Sequence, residues 1–163
     1  MYNEAFMQHV IGLSRRALDT PGTEPFGAVV VRNGEIVGEG LNHAWAKLDP
    51  TAHGEVEAIR DACRKLHCIS LEGCEVYTSC EPCPVCVATM GSVGITKLYY
   101  AASLVQSRAA TAAMPESKRR RVDVQALRRE VALPVEQRQM PSEQHLAETA
   151  VDVIAAWAAR QKG

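Results

Sequence analysis

Two short motifs constrain this chain more than any other feature: His53-Gly54-Glu55 and, further along, Cys83-Pro84-Val85-Cys86. Each stands at the head of a stretch whose spacing predicts a helix, about Ala52 to Leu66 and about Cys83 to Val93. Two thiolates and one imidazole make a tetrahedral zinc site with one corner left over. That is the pattern of catalytic rather than structural zinc. A helix start suits such ligands, because its unpaired backbone N–H groups favour thiolate over thiol. The fold must therefore bring the heads of two helices to one point.

The remaining elements say what kind of fold does this. Phe6, Val10, Leu13 and Ala17 share one face of a helix over residues 4–18, which Asp19-Thr20-Pro21-Gly22 stops. Phe26 to Val31 and Glu35 to Gly40 flank Asn33-Gly34, the favoured two-residue hairpin turn. Val29 to Val31 is continuously apolar, so this strand is expected to be covered on both faces. Asp49-Pro50-Thr51 breaks the chain, and Thr51 is a candidate cap for the helix that follows. Glu75 to Thr78 and Lys97 to Ala101 predict further strands, Ser103 to Ala113 a helix, and Val122-Asp123-Val124 a last strand. Pro134 and Pro141 mark a loop before a closing helix over 143–160. Strands alternating with helices indicate an α/β layered domain.

The 163 residues suggest one domain, with 142–163 as a C-terminal helical segment. The formal net charge of -1 gives no global drive toward nucleic acid or anionic membrane. No segment is long and apolar enough to span a bilayer, and the first residues lack a secretory pattern, so a cytoplasmic address is expected. That address argues against reading the six cysteines as a disulfide framework. Cys63, Cys68 and Cys74 show no ligand spacing and are expected to be small buried hydrophobes.

Zinc in a three-ligand site brings the pKa of its water to about 7. Glu55, two residues from His53, can take that water's proton without ligating the metal. H-x-E followed by P-C-x-x-C is the general signature of zinc nucleobase deaminases. A lone C-x-x-C fits a redox pair and a lone H-x-E arises by chance; together they are specific. A competing reading closes a structural zinc with Cys80 as fourth ligand, and it leaves Glu55 without a task.

On these motifs the chain resembles the guanine deaminases of the cytidine deaminase-like superfamily, from roughly Glu4 to Ala102. Pro25-Phe26-Gly27-Ala28-Val29 is similar to their first strand, and Gly38-Glu39-Gly40-Leu41-Asn42 to the strand end that supplies a base-binding asparagine. Asp49 to Glu55 is similar to the zinc helix start, with Gly54 in place of the usual alanine. Thr78-Ser79-Cys80-Glu81-Pro82-Cys83-Pro84-Val85-Cys86 resembles the bacterial members especially. The tRNA adenosine deaminases resemble it too, usually without the serine-cysteine pair or the proline after the first ligand cysteine.

The resemblance implies a three-layer α/β/α fold around a five-stranded mixed sheet. It implies zinc held by His53, Cys83 and Cys86, Glu55 as proton carrier, and free bases as substrates, with guanine going to xanthine. It also implies a homodimer, domain-swapped in some bacterial members. By position, Asn42 would hydrogen-bond the ring and Phe26 would stack on it; ordinary core is the alternative for Phe26, a strand-end turn residue for Asn42. Beyond Ala102 the pattern departs. Met114 stands near where an acidic residue is expected to meet the guanine edge, and Glu116 is the nearest acid that substitutes. Cytosine, an aminotriazine, a nucleoside or tRNA adenosine stays open as substrate, and a catalytically silent zinc-stabilised binding subunit as an alternative role.

Lys118 to Arg121, with Arg128 and Arg129, is the one basic cluster. No aromatic is interleaved to stack bases, so a solvated face is expected rather than an RNA-tracking patch. Trp157, with Val153 and Ile154, is expected to pack the last helix on the body or on a partner subunit.

Overall fold

The computed structural model describes residues 1–118 and 122–161. Arg119, Arg120 and Arg121 of the basic run lie outside them. The chain forms two compact units, Met1–Val124 and Gln125–Gly163.

The first unit begins with helix α1 (Glu4–Arg15), capped by the Asn3 side chain on the Ala5 N–H. Strands β1 (Glu24–Arg32) and β2 (Glu35–Asn42) form the expected hairpin, with positive φ at both Asn33 and Gly34. A short helix α2 (Ala44–Lys47) leads to α3 (Gly54–Leu66). Then come β3 (Glu75–Cys80), α4 (Pro84–Ser92), β4 (Lys97–Ala102) and α5 (Leu104–Ala110). The Ser103 hydroxyl and the Gln106 side chain cap α5 reciprocally.

The sheet runs β2-β1-β3-β4, antiparallel except for the parallel β3–β4 pair. Successive residues of β1 point to opposite sides. Val29 and Val31 join Met7, Val10, Leu13 and Tyr77 in the core under α1. Ala28 and Val30 join Val56, Ile59, Val76, Cys86 and Met90 in the core under α3 and α4. These two cores make the three layers, and they explain why Ala28 to Val31 of β1 are continuously apolar and buried.

Among the described residues the sheet has four strands, not the expected five. Val122-Asp123-Val124 is not a strand of this sheet; Val124 opens helix α6 (Val124–Ala132). Val124, Leu127 and Val131 recur at helical spacing, and the residues between them favour helix, so the longer pattern overrides the two β-branched valines. Thr51 does not cap α3 either. Its hydroxyl and N–H both donate to Asp49 Oδ1, and His53 stands at the N-cap.

Within the second unit, α7 (Ala147–Arg160) follows the loop around Pro141. Val151, Val153, Ile154 and Trp157 on it are exposed. Among the described residues no helix is long and apolar enough to cross a membrane.

Candidate active site

The site forms where α3 and α4 begin on the same side of the sheet. His53 and Cys83 are the two N-cap residues, both with extended backbone. Pro84 takes the first helical position of α4, where its missing N–H costs nothing, and Cys86 follows within the first turn. An extended cap residue points its side chain back across the helix mouth, so two such caps facing each other bring three donor atoms together.

The dimensions of that triangle test what it can hold. His53 Nδ1 lies 3.5 Å from Cys83 Sγ and 3.4 Å from Cys86 Sγ, and the sulfurs are 3.7 Å apart. Zinc bonds of about 2.3 Å to sulfur and about 2.0 Å to nitrogen, at tetrahedral angles, require sulfur–nitrogen edges of about 3.5 Å and a sulfur–sulfur edge of about 3.8 Å. The donor set therefore fits zinc in type and in size. Among the described residues, His53, Cys83 and Cys86 are the one group of three or more potential ligands that converge in this way. Cys80 is not in it. Its thiol is hydrogen-bonded with Ser107, and burial pushes its pKa up.

The charges at the site agree with a cation site. The hydrogen bond with Cys86, helped by His53, holds Cys83 down at about 4 against the opposing effect of burial. Cys86, the buried partner in that bond, is pushed up. Two sulfurs sharing one proton is the arrangement a soft cation would replace.

Glu55 lies one residue inside α3, 5% exposed. Oε2 is 3.4 Å from Cys86 Sγ, and Oε1 accepts from the Thr78 hydroxyl at 3.3 Å. Burial raises its pKa, against hydrogen bonds from its own backbone N–H and from Cys86. A carboxyl that touches one corner of the triangle without belonging to it is placed for proton transfer.

The ends of two strands reach the same helix head. The β1–β2 register passes from Glu24–Asn42 to Gly27–Leu41, so Pro25 and Phe26 bulge out of the ladder opposite Asn42. A bulge re-aims its side chains, and Phe26 lies within this one, at the end of β2 that carries Asn42. The Phe26 carbonyl lies against the first residue of α3: a Cβ on Gly54 would come 2.3 Å from it. Asn42 is buried, with Oδ1 accepting from the Ala44 N–H at 3.0 Å. His43 N–H then bonds Ala52 O at 2.9 Å, tying the end of β2 to the residue before His53. Glu116 is exposed, in a 3-10 turn over Glu116–Lys118, and Met114 before it is exposed too.

Residues 1–102 match the cytidine and deoxycytidylate deaminase zinc-binding region. The chain belongs to this deaminase family. It is 36% identical over 141 residues to the guanine deaminase of Bacillus subtilis (strain 168), covering 86% of this chain and 84% of that one. The X-ray structure of the Bacillus subtilis guanine deaminase superposes with a TM-score of 0.79 at 34% identity, over 98% of this chain and 95% of that chain. The tRNA-specific adenosine deaminase of Aquifex aeolicus (strain VF5) is 38% identical over 102 residues, 63% of this chain and 67% of that one. The likeness to that enzyme spans about the extent of the family match, whereas the likeness to guanine deaminase continues into the second unit. This deaminase thus shares both of its units with a solved relative.

Thr78 is the residue that motif reasoning passed over. It reads as one more β-prone position in β3, yet it follows Val76 by two, so it shares the strand face that looks toward α3. A lone hydroxyl on an otherwise apolar face was the available signal.

Proposed function

We propose that this chain hydrolyses the exocyclic amine of a free nucleobase, guanine first, to give xanthine and ammonia. The observation that carries the reading is the triangle of His53, Cys83 and Cys86, of the size a tetrahedral zinc requires, with the buried Glu55 at one corner. Preference for guanine rests on the likeness to the Bacillus subtilis enzyme over 86% of the chain.

His53, Cys83 and Cys86 would hold one zinc ion. When bound, that ion supplies the Lewis acidity that makes water a nucleophile at neutral pH. Glu55 takes a proton from the attacking water and delivers it to the ring nitrogen beside the carbon under attack. It then carries the second proton to the amine, whose bond to that carbon breaks as the carbonyl forms. Water enters and ammonia leaves, so atoms and charge balance. Burial strengthens the hold of Glu55 on a proton, which suits a group that carries one between two transfers.

Asn42 is assigned the ring edge. Ala44 occupies one acceptor position of its amide and fixes its plane, leaving the NH2 as donor. Phe26 stacks on the ring face, and Glu116 meets the guanine edge in place of the acid expected near Met114. The unpaired state of all six cysteines suits a reducing, cytoplasmic setting. The exposed apolar residues of α7 favour a homodimer. Neither a nucleic acid nor a membrane is assigned as partner.

Ammonia release from guanine, cytosine, an aminotriazine, nucleosides and tRNA tests the reading. Guanine is expected to turn over fastest. A faster alternative base changes the substrate but keeps the chemistry. No release from any of them, with zinc bound, makes the chain a silent binding subunit instead.

A further inference from the structure

We propose that Thr78 is a positioning residue for the reaction: its hydroxyl holds one oxygen of Glu55 and so presents the other to the metal triangle. The proposal rests on the reading of Glu55 as proton carrier.

Thr78 is 1% exposed, among the least accessible polar side chains in the first unit. Its one hydroxyl faces three acceptors: Gly27 O at 3.3 Å, Cys80 O at 3.2 Å and Glu55 Oε1 at 3.3 Å. A hydroxyl has one proton, so only one of these bonds is made at a time. The two carbonyls are neutral. When Glu55 is ionised its carboxylate is the charged acceptor of the three, and bonds to charged groups are roughly twice as strong as neutral ones, so the proton then goes to Oε1. Register makes the contact possible. Ala28 pairs with Thr78 in the antiparallel β1–β3 ladder, which sets the threonine at the level where α3 begins.

The donor inventory around Glu55 gives the bond its weight. Oε1 meets Thr78, and Oε2 meets the Cys86 thiol. A thiolate that ligates a metal has no proton to give. Thr78 is then the side-chain donor that keeps the carboxylate in one rotamer. A buried carboxylate that loses such a partner turns in its cavity, and a proton carrier displaced by a fraction of an ångström transfers poorly.

The experiment compares Thr78→Val, which keeps the shape and removes the hydroxyl, with Thr78→Ser, which keeps the hydroxyl. In Thr78→Val, kcat on the preferred base is expected to fall by about tenfold to hundredfold, with KM changed by less than about twofold. Thr78→Ser restores kcat to within about threefold. Zinc stays near one per chain in both, measured by atomic emission. A crystal structure of Thr78→Val is expected to show Glu55 in more than one rotamer.

Unchanged kcat in Thr78→Val overturns the proposal. So does loss of zinc and thermal stability in step with activity, failure of serine to rescue, or a single undisturbed Glu55 rotamer. If Thr78→Val does not fold, Thr78→Cys, a weak donor of similar size, replaces it under the same criteria. A Glu55→Gln control separates the two levels. Turnover that survives Glu55→Gln removes the underlying reading, whereas a dead Glu55→Gln beside a fully active Thr78→Val removes only the role of Thr78.

Discussion

Glu55 and the three ligands answer to different tests because they contribute different things. Glu55→Gln keeps the size and hydrogen-bonding surface of the side chain and removes its ability to carry a proton. Turnover is expected to fall by at least about 10²-fold while zinc remains near one per chain. Loss of the metal would instead make Glu55 a ligand. Cys86→Ser removes a buried soft donor from a triangle whose edges are set for sulfur. The expected outcome is zinc loss on dialysis together with loss of turnover, and metal analysis before and after dialysis decides it. At this scale the sequence was most legible where chemistry is local. His53 and Glu55 sit two apart, Cys83 and Cys86 three apart, and such spacings survive any detail of packing. Thr78 was not legible because its meaning depends on strand register, which brings it to Glu55 across 23 positions of sequence. Phe26 and Asn42 fall between: the motif suggested their roles, but the bulge that takes Phe26 out of the ladder near Asn42 appears only in the register.

Between elements, the closest packing is that of α3 on the hairpin. A Cβ on Gly40 would lie 2.1 Å from Gly54 O and 2.4 Å from Ala58 N, both backbone atoms that cannot swing aside. Gly40→Ala is therefore expected to cost about 3 kcal/mol or more and to lower Tm by about 10 °C, read by thermal unfolding. A second tie is polar. Asp61 on α3 accepts from the Glu39 N–H on β2 at 3.0 Å and pairs with Lys65 at 2.7 Å. Burial pushes the Asp61 carboxyl up, but the hydrogen bonds from Lys65 and Glu39, with the charge of Lys65, outweigh it and hold it below the usual carboxylate value. The unfolded chain thus binds this proton first as pH falls. The stabilisation is present above about pH 4 and is lost as pH drops through the lower folded value. Asp61→Asn should cost about 1 kcal/mol at neutral pH, and its difference from wild type should shrink below about pH 4. A difference independent of pH would show that the charge does not matter. The helices and strands were legible at this scale because β1, α1 and α3 carry strong periodicity. Among the described residues the expected fifth strand was not found, since the two valines of 122–124 sit at the edge of a longer helical pattern.

For the whole molecule the open quantity is how many chains make the working unit. α7 carries Val151, Ile154 and Trp157 three residues apart, which sets them along one side of the helix. They are 59%, 63% and 64% exposed in a single chain. Fully burying each such side chain is worth about 1.5–3 kcal/mol, so a stripe of this size left in water favours association. The sequence made α7 legible as a helix but not what covers it, because an apolar stripe reads the same whether it meets its own chain or another. A second copy is the economical cover, since a twofold arrangement buries the stripe twice with one set of residues. Light scattering on a sizing column is expected to give about twice the chain mass of 17.7 kDa. Trp157→Glu puts a charge on the largest residue of the stripe and should shift the same sample to the monomer mass, with the far-UV helix signal kept. If the unaltered chain runs as a monomer, or if Trp157→Glu stays dimeric, the α7 stripe is not what joins two copies.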